Sequence, residues 1–411
     1  MTTGAKPIMT KFGSPWLDQF PKSRVPAYAR QRGATETDVV VVGGGLAGCM
    51  TSYAFAAAGV KVTLVEAEQI GRGSSGSING WIAEEPGVTL MALEKLIGAR
   101  DAKRVWQMWR RASLDCAALL RRLEVKCQLE PGGTVTVAVT PDEIARLKRE
   151  QKARRDAGID APLLTSSLVK NETGLQAGAA IRAKDGATLD PYRACLGLAA
   201  AAAERGAVIF ERTPVKKTTF TRKDVTVVTS SGSIRANRVV ITTNVPTAIF
   251  KALIRHFWLR TTYFALTEPV PAKLRQQLGR RAGVLRDSAN PVHLVRWLDD
   301  RLMISGADAE TVPLPQRAKT LVQRTGQLMY ELSTMYPDVS GIQPAFGWAA
   351  DYALTVNGLP CLGPHRNFPH HLFALGDASQ SITGAYLASR VLLRQHFEEM
   401  DPIDKVFAFR R

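Results

Sequence analysis

The chain has 411 residues, of which 45% are apolar and 22% charged, and its formal charge is +17. So much apolar surface offsets chain entropy, which excludes disorder as the main state. The length allows roughly two to three domains of about 150 residues each. Five scattered cysteines (Cys49, Cys116, Cys127, Cys195 and Cys361) form no C-x-x-C pair, so neither a zinc site nor a disulfide scaffold is expected, and the compartment reads as reducing.

No apolar run approaches the ~20 residues that span a bilayer. The first residues, MTTGAKPIMTKFGSPWLDQFPKSR, lack the apolar centre of a secretory signal, and the expected location is the cytoplasm. Basic residues fall in small groups such as Lys148-Arg149, Lys216-Lys217 and Arg280-Arg281, with acids mixed in. No block of five like charges and no aromatic-interleaved basic stripe appears. Nucleic acid is therefore not an expected partner; attraction of an anionic substrate is another use for the charge.

In chain order, residues 1–35 form a polar, Pro-containing lead-in, with Trp16 and Phe20 as surface anchors. Residues 38–42 are a β-branched run, as expected for a strand buried on both faces. The stretch Gly43-Gly44-Gly45-Leu46-Ala47-Gly48 follows, then an Ala-rich helix to about residue 58, and a strand over 61–65 closing on Glu66. This is a βαβ unit. Helical periodicity covers 88–125, a strand 134–139, and a charged helix 141–155 capped by Thr140. A helix runs through the Ala run before a strand at 208–211, and 225–243 reads as a hairpin leading into a buried strand. Residues 256–310 are strand-rich, 314–334 helical, and the tail returns to strand, Gly-rich turn and helix.

Gly43-x-Gly45-x-x-Gly48 sits between a strand and a helix, the context a dinucleotide fingerprint requires. The first glycine permits the tight turn, the second lets backbone approach a pyrophosphate, and the third lets helix and strand pack closely. The helix N-terminus then stabilises the phosphates. Glu66 is placed to accept ribose hydroxyls and disfavours a 2′-phosphate. A second loop of small residues and hydroxyls, Gly71-Arg72-Gly73-Ser74-Ser75-Gly76-Ser77-Ile78-Asn79-Gly80, suits a flavin, whose second phosphate and ribityl chain extend beyond the first helix. Leu375-Gly376-Asp377 and then Ser381-Ile382-Thr383-Gly384 open a last helix. Asp377 is placed either to hold a ribityl hydroxyl or to lie near a phosphate, and the helix points its positive end at the flavin.

Taken together, these residues resemble the D-amino-acid oxidase-type family of FAD-dependent oxidoreductases, over essentially residues 12–411. The resemblance also rests on Thr188-Leu189-Asp190-Pro191, Thr213-Pro214-Val215, residues 299–306 and Val356-Asn357-Gly358-Leu359-Pro360. The lead-in Ser14-Pro15-Trp16-Leu17-Asp18 is similar to the glycine-oxidase, sarcosine-oxidase and glutamylputrescine-oxidase branch. The family implies an α/β fold: a Rossmann-like, glutathione-reductase-type FAD domain (36–115, 186–255 and 345–411) and a discontinuous α+β substrate domain with an antiparallel sheet (116–185 and 256–344). It implies cofactor contacts at Gly43, Gly45, Leu46, Ala47, Gly48, Glu66 and Ala67. Further contacts are implied at Arg72, Gly73, Ser74, Ser75, Asn79 and Gly80, at Val215, Thr243 and Asn244, and at Gly376, Asp377, Ser381, Ile382 and Thr383. The tail carries Ala378, Ser379 and Gln380 where the family is richer in glycine, and Trp81 takes a place usually held by a small residue. The loop has no His, and Gly347-Trp348-Ala349-Ala350-Asp351 no Cys, at the positions relatives use for covalent attachment, so a non-covalent FAD is implied.

The implied reaction is oxidation of a C–N bond in an amino acid or secondary amine to an imine, which then hydrolyses, with O2 or another acceptor closing the cycle. Such chemistry needs positioning and exclusion of water more than a catalytic base. A substrate carboxylate calls for a forked Arg. The candidates are His293, Arg296 and Trp297 on one strand, and Tyr263 grouped with His256 and Arg260. Alternation puts His293, Val295 and Trp297 on one face and Leu294 and Arg296 on the other. Trp348 and Tyr352 are candidates for an aromatic wall. No metal is expected, and oligomeric state is open. Two other function classes are a flavin monooxygenase or halogenase, and a flavin-binding subunit or scaffold that needs a partner.

Overall fold

The computed structural model describes residues 9–278, 283–377 and 382–409. They divide into two compact units, each assembled from separated stretches of chain. One unit takes 19–129, 185–259 and 352–411; the other takes the residues up to 18, 130–184 and 260–351. The lead-in is thus shared between the two units, and one boundary falls at 129/130, past the long helix Ala99–Arg122.

In the first unit the strand Gly33–Val42 pairs in parallel with Val62–Val65 on one side and Gly232–Asn244 on the other. Val39, Val40 and Val41 are fully buried, which is why the strand carries no polar alternation there. Parallel pairing continues outward to Val208–Phe210, and Gly232–Asn244 also pairs in parallel with Phe368–Leu375. The hairpin Val215–Phe220 with Val225–Thr229 extends the sheet in antiparallel sense. Helices Leu46–Ala57, Pro191–Glu204 and Ile382–His396 belong to this unit. The helical stretch at 88–125 is two helices, Leu90–Ile97 and Ala99–Arg122, because Gly98 between them takes φ +86°, a conformation that breaks the helical path.

The second unit is built on a sheet of nine strands among the described residues. Trp258–Thr267, Arg301–Glu310, Leu294–Leu298 and Val284–Arg286 are successive antiparallel neighbours. The sheet is mixed rather than wholly antiparallel: Val284–Arg286 runs parallel to Thr134–Ala138, and Lys11–Phe12 parallel to Pro344–Leu354. One face packs on the helix Leu314–Met335, with Val137, Tyr263, Ala265, Leu285, Val295 and Ile304 meeting Leu328 and Leu332. The charged helix Pro141–Asp156 starts on a complete capping box, in which Thr140 accepts the Glu143 N–H and Glu143 reaches back. Neither the helix Ser166–Thr173 nor the strand Val215–Phe220 was legible from periodicity. No helix among the described residues is long and apolar enough to cross a membrane.

Candidate functional site

The glycine loop is held by contacts that leave no room for side chains. Gly43 has φ +107°. A Cβ on Gly48 would collide with the Gly43 carbonyl oxygen, and Thr242 Oγ1 would lie 2.8 Å from it. That hydroxyl donates to the carbonyls of Val42 and Gly43, at 2.9 and 3.0 Å, locking the turn against the neighbouring strand. Gly45 caps the helix without a side chain, and a Cβ there would meet only Ser75, with its Oγ 2.8 Å away. Ser75 Oγ instead accepts the Leu46 N–H at 2.9 Å, joining the second loop to the first turn of the helix.

Glu66 does more than close its strand. Its Oε2 accepts the Gly44 N–H at 2.6 Å and its Oε1 the Glu68 N–H at 2.9 Å. Burial pushes the carboxyl pKa above its ordinary value, against the lowering effect of these backbone bonds. Ala67 beside it is exposed, while the Thr213 N–H bonds the Glu66 carbonyl at 2.8 Å and brings Val215 close in chain. The second loop is anchored at both ends. Gly71 N–H donates to the Gly44 carbonyl, Arg72 hydrogen-bonds Tyr192, and Asn79 Oδ1 accepts the Trp81 N–H at 3.1 Å. Gly73 and Ser74 open a short 3-10 turn, Ser74–Ser77, and the Gly80 carbonyl accepts the Leu189 N–H. Trp81 itself is buried, so its bulk is accommodated in the unit's interior.

The tail element meets the same sheet. Asn244 adopts φ +63°, and its carbonyl accepts the Gly376 N–H at 2.8 Å; Thr243 Oγ1 donates to the Val245 carbonyl. Asp377 lies over the first turn of Ile382–His396, where a Cβ on Gly384 would strike its carboxylate. Thr383 Oγ1 donates to the Ala83 carbonyl at 2.6 Å, fastening that helix start to the segment after the second loop. Ser381, with Ala378, Ser379 and Gln380, lies outside the described residues.

On the nine-stranded sheet the alternation holds, and its direction separates the candidates. His293 faces the helix: Nδ1 meets Asp287 Oδ2 at 2.6 Å and Nε2 meets Glu331 Oε2 at 3.0 Å. Burial lowers the imidazole pKa, but the two carboxylates outweigh it and hold it above the ordinary value. With both ring nitrogens committed, His293 ties the strand turn to Glu331 and has no ring nitrogen left for proton transfer. Trp297 packs on the same helix-facing core. Tyr263 is buried there too, with the Arg324 guanidinium 5.8 Å from its ring centre, and burial raises its pKa. His256 falls in the other unit, its ring 5.6 Å from that of His365 and 5.4 Å from that of Phe409. Tyr352 also falls in that unit.

Arg296 points to the opposite face, away from the helix. It is 6% exposed and its guanidinium lies 5.4 Å from the Trp16 ring centre, so the lead-in supplies part of this face. Phe264 and Trp348 stack there at 5.0 Å with planes 4° apart. Arg286 shares the face, since Arg286, Leu294, Ser305 and Phe264 are successive cross-strand partners. Sequence reasoning missed Arg286 and Phe264. The signal was the strand register, which no single strand reveals.

The sequence matches the FAD dependent oxidoreductase family over residues 38–395. The chain belongs to that family. It is 24% identical over 373 residues to the probable oxidoreductase OrdL of Haemophilus influenzae, covering 86% of this chain and 81% of that protein. It is 24% identical over 372 residues to the gamma-glutamylputrescine oxidoreductase of Escherichia coli, covering 89% and 85%. The fold is similar to that of glycine oxidase from Geobacillus kaustophilus, with a TM-score of 0.75, 19% identity, and 92% and 99% of the two chains covered. The chain is thus an FAD-dependent oxidoreductase. Its glycine loop fits the cofactor: a Cβ at Gly43, Gly44, Gly45 or Gly48 would crowd the turn, so the loop itself presents backbone at the start of the helix, with the Ser75 hydroxyl beside it.

Proposed function

We propose that this protein oxidises a C–N bond of an amino acid or secondary amine to an imine, which water then hydrolyses. Gly43, Gly45, Leu46, Ala47 and Gly48 would hold the pyrophosphate of FAD, with Glu66 on the ribose and Ala67 and Val215 beside the adenine. Arg72, Gly73, Ser74, Ser75, Asn79 and Gly80, with Thr243, Asn244, Gly376, Asp377, Ile382 and Thr383, would follow the remainder of the cofactor, without covalent attachment. Bound there, FAD supplies the two-electron acceptor for substrate oxidation.

The residues of the chain contribute recognition. The observation that carries the amine reading is Arg296, a buried guanidinium beside Trp16 on the sheet face turned away from the helix Leu314–Met335. A planar fork in a dry setting binds a carboxylate bidentately and orients the carbon next to it. Phe264 and Trp348 exclude water from the same face. His293, Trp297 and Tyr263 act by holding the sheet on its helix. The activities named for the gamma-glutamylputrescine and glycine relatives agree with an amine substrate.

The test begins with the visible spectrum of the purified protein, repeated on the supernatant after acid precipitation. Flavin bands near ~450 nm that move to the supernatant are expected for a cofactor held only by the scaffold. Anaerobic addition of amino acids and secondary amines should then bleach them. If none does, amine oxidation is wrong.

A further inference from the structure

The peptide between Gly44 and Gly45 opens the fingerprint helix and has a glycine on either side. Glycine lets backbone turn at little steric cost, so this peptide keeps one orientation only if something holds it. Three donors do. The Gly44 carbonyl accepts the Gly71 N–H at 2.9 Å, the Cys49 thiol at 3.6 Å and the Cys195 thiol at 3.7 Å. Cys49 reaches back from the first turn of Leu46–Ala57, and Cys195 comes from Pro191–Glu204, 151 residues along the chain from Gly44. Both cysteines are fully buried within the first unit. Their thiols also hydrogen-bond each other; that bond and then burial push the Cys49 pKa well above its ordinary value, so the thiol stays a protonated donor. Gly71 packs against the same spot, where a Cβ would lie 3.1 Å from the Cys195 Cβ. A trans peptide is planar, so its C=O and N–H point in opposite directions. Thiols that draw the Gly44 carbonyl inward therefore turn the Gly45 N–H outward, and an outward N–H at a helix start is a phosphate donor.

We infer that Cys49 and Cys195 are positioning residues for FAD, which aim the Gly45 N–H at the cofactor pyrophosphate by holding the Gly44 carbonyl from behind. This rests on the phosphate reading of the glycine loop given above and deepens it by naming what orients the loop. The effect passes through one peptide plane, so it falls on the phosphate and not on the adenosine.

The experiment uses the purified holoprotein, with FAD displaced by ADP or by adenosine and its release followed as recovered flavin fluorescence. In the unmodified protein ADP should displace FAD at a concentration about tenfold or more below that of adenosine, because charge-assisted contacts to phosphate are strong. Cys49→Ala and Cys195→Ala should each shrink that ratio about threefold, and the double variant about tenfold, with adenosine unchanged. Cys195→Ser keeps a donor of similar size and should retain part of the ratio. Cys116→Ala opens a similar space at a buried thiol in Ala99–Arg122, and should lower the Tm while leaving the ratio as it was. A folded double variant with the full ratio would overturn the inference and leave the phosphate reading in place. So would a variant that weakens ADP and adenosine alike, since that is general loosening. Infrared spectra supply a reading that needs no alanine variant to fold. Cys195→Ser should remove an S–H stretching band lowered by hydrogen bonding, and loss of an unshifted band instead would overturn the inference. Equal displacement by ADP and adenosine in the unmodified protein would remove the phosphate reading, and the inference with it.

Discussion

Ser75 Oγ accepts the Leu46 backbone N–H at 2.9 Å, so a loop 29 residues further along the chain caps the fingerprint helix whose own N-cap, Gly45, has no side chain. The hydroxyl occupies space beside a helix start, where phosphate is stabilised. Ser75→Ala removes the acceptor and should cost about 1 kcal/mol in FAD affinity, or about fivefold in Kd. Recovery of flavin fluorescence on dilution measures it; an unchanged Kd would mean that the loop does not reach the cofactor.

Gly48→Ala should be far more severe, because the new methyl would collide with the Gly43 carbonyl. Rigid backbone overpacking costs about 1–3 kcal/mol. The variant should be recovered with little flavin and a lowered Tm.

Gly326→Ala should act in the opposite direction. Gly326 lies within Leu314–Met335, has nothing within 4 Å of a Cβ and needs no positive φ. The substitution should stabilise by about 0.5–1 kcal/mol through helix propensity, read as a raised midpoint in urea with an unchanged slope.

Glu66→Gln keeps the shape of the side chain but loses the charge. The Gly44 N–H now meets a neutral acceptor, and so would a ribose hydroxyl. FAD affinity should fall about tenfold, as expected when a charge-assisted bond becomes a neutral one, with little change in far-ultraviolet circular dichroism. Equal flavin content in variant and parent would argue against a ribose role.

His293 carries a pH signature. Asp287 and Glu331 face its two ring nitrogens, and Gln327 and Arg324 continue the chain of contacts from Glu331 along the helix. Its pKa in the folded state is raised above 6.5. The stabilisation is therefore complete below the unfolded-state pKa and is lost as pH rises through the higher folded-state value. The Tm difference between the parent and His293→Gln should be largest near pH 6 and shrink towards pH 9. A difference that grows with pH would show that the imidazole is neutral in the folded protein.

Local chemistry made some features legible without coordinates. The fully buried Val39–Val41 run, the glycine spacing and the Glu66 terminus each follow from short-range sterics and strand burial, so the βαβ unit could be read directly. Thr140 announced a helix start, and the structure completes the capping box with Glu143. The break at Gly98 was missed because apolar periodicity continues across it, whereas a single positive φ ends one helix and starts the next. The short strand Val215–Phe220 escaped notice because its burial is irregular and two lysines lie in it.

The candidate residues divide in the same way. Alternation correctly put His293 and Arg296 on opposite faces, since side-chain direction along one strand is a local property. Nothing local said which face meets the helix. That choice depends on Leu328 and Leu332, some thirty residues further on, packing against Val295 and Ile304. Sequence by itself determined that the chain holds a dinucleotide, because the phosphate loop is continuous and its glycines are demanded by sterics. Only the tertiary structure decided that Arg286 and Arg296 share a face, because strand register is set by pairing between segments that the sequence keeps apart.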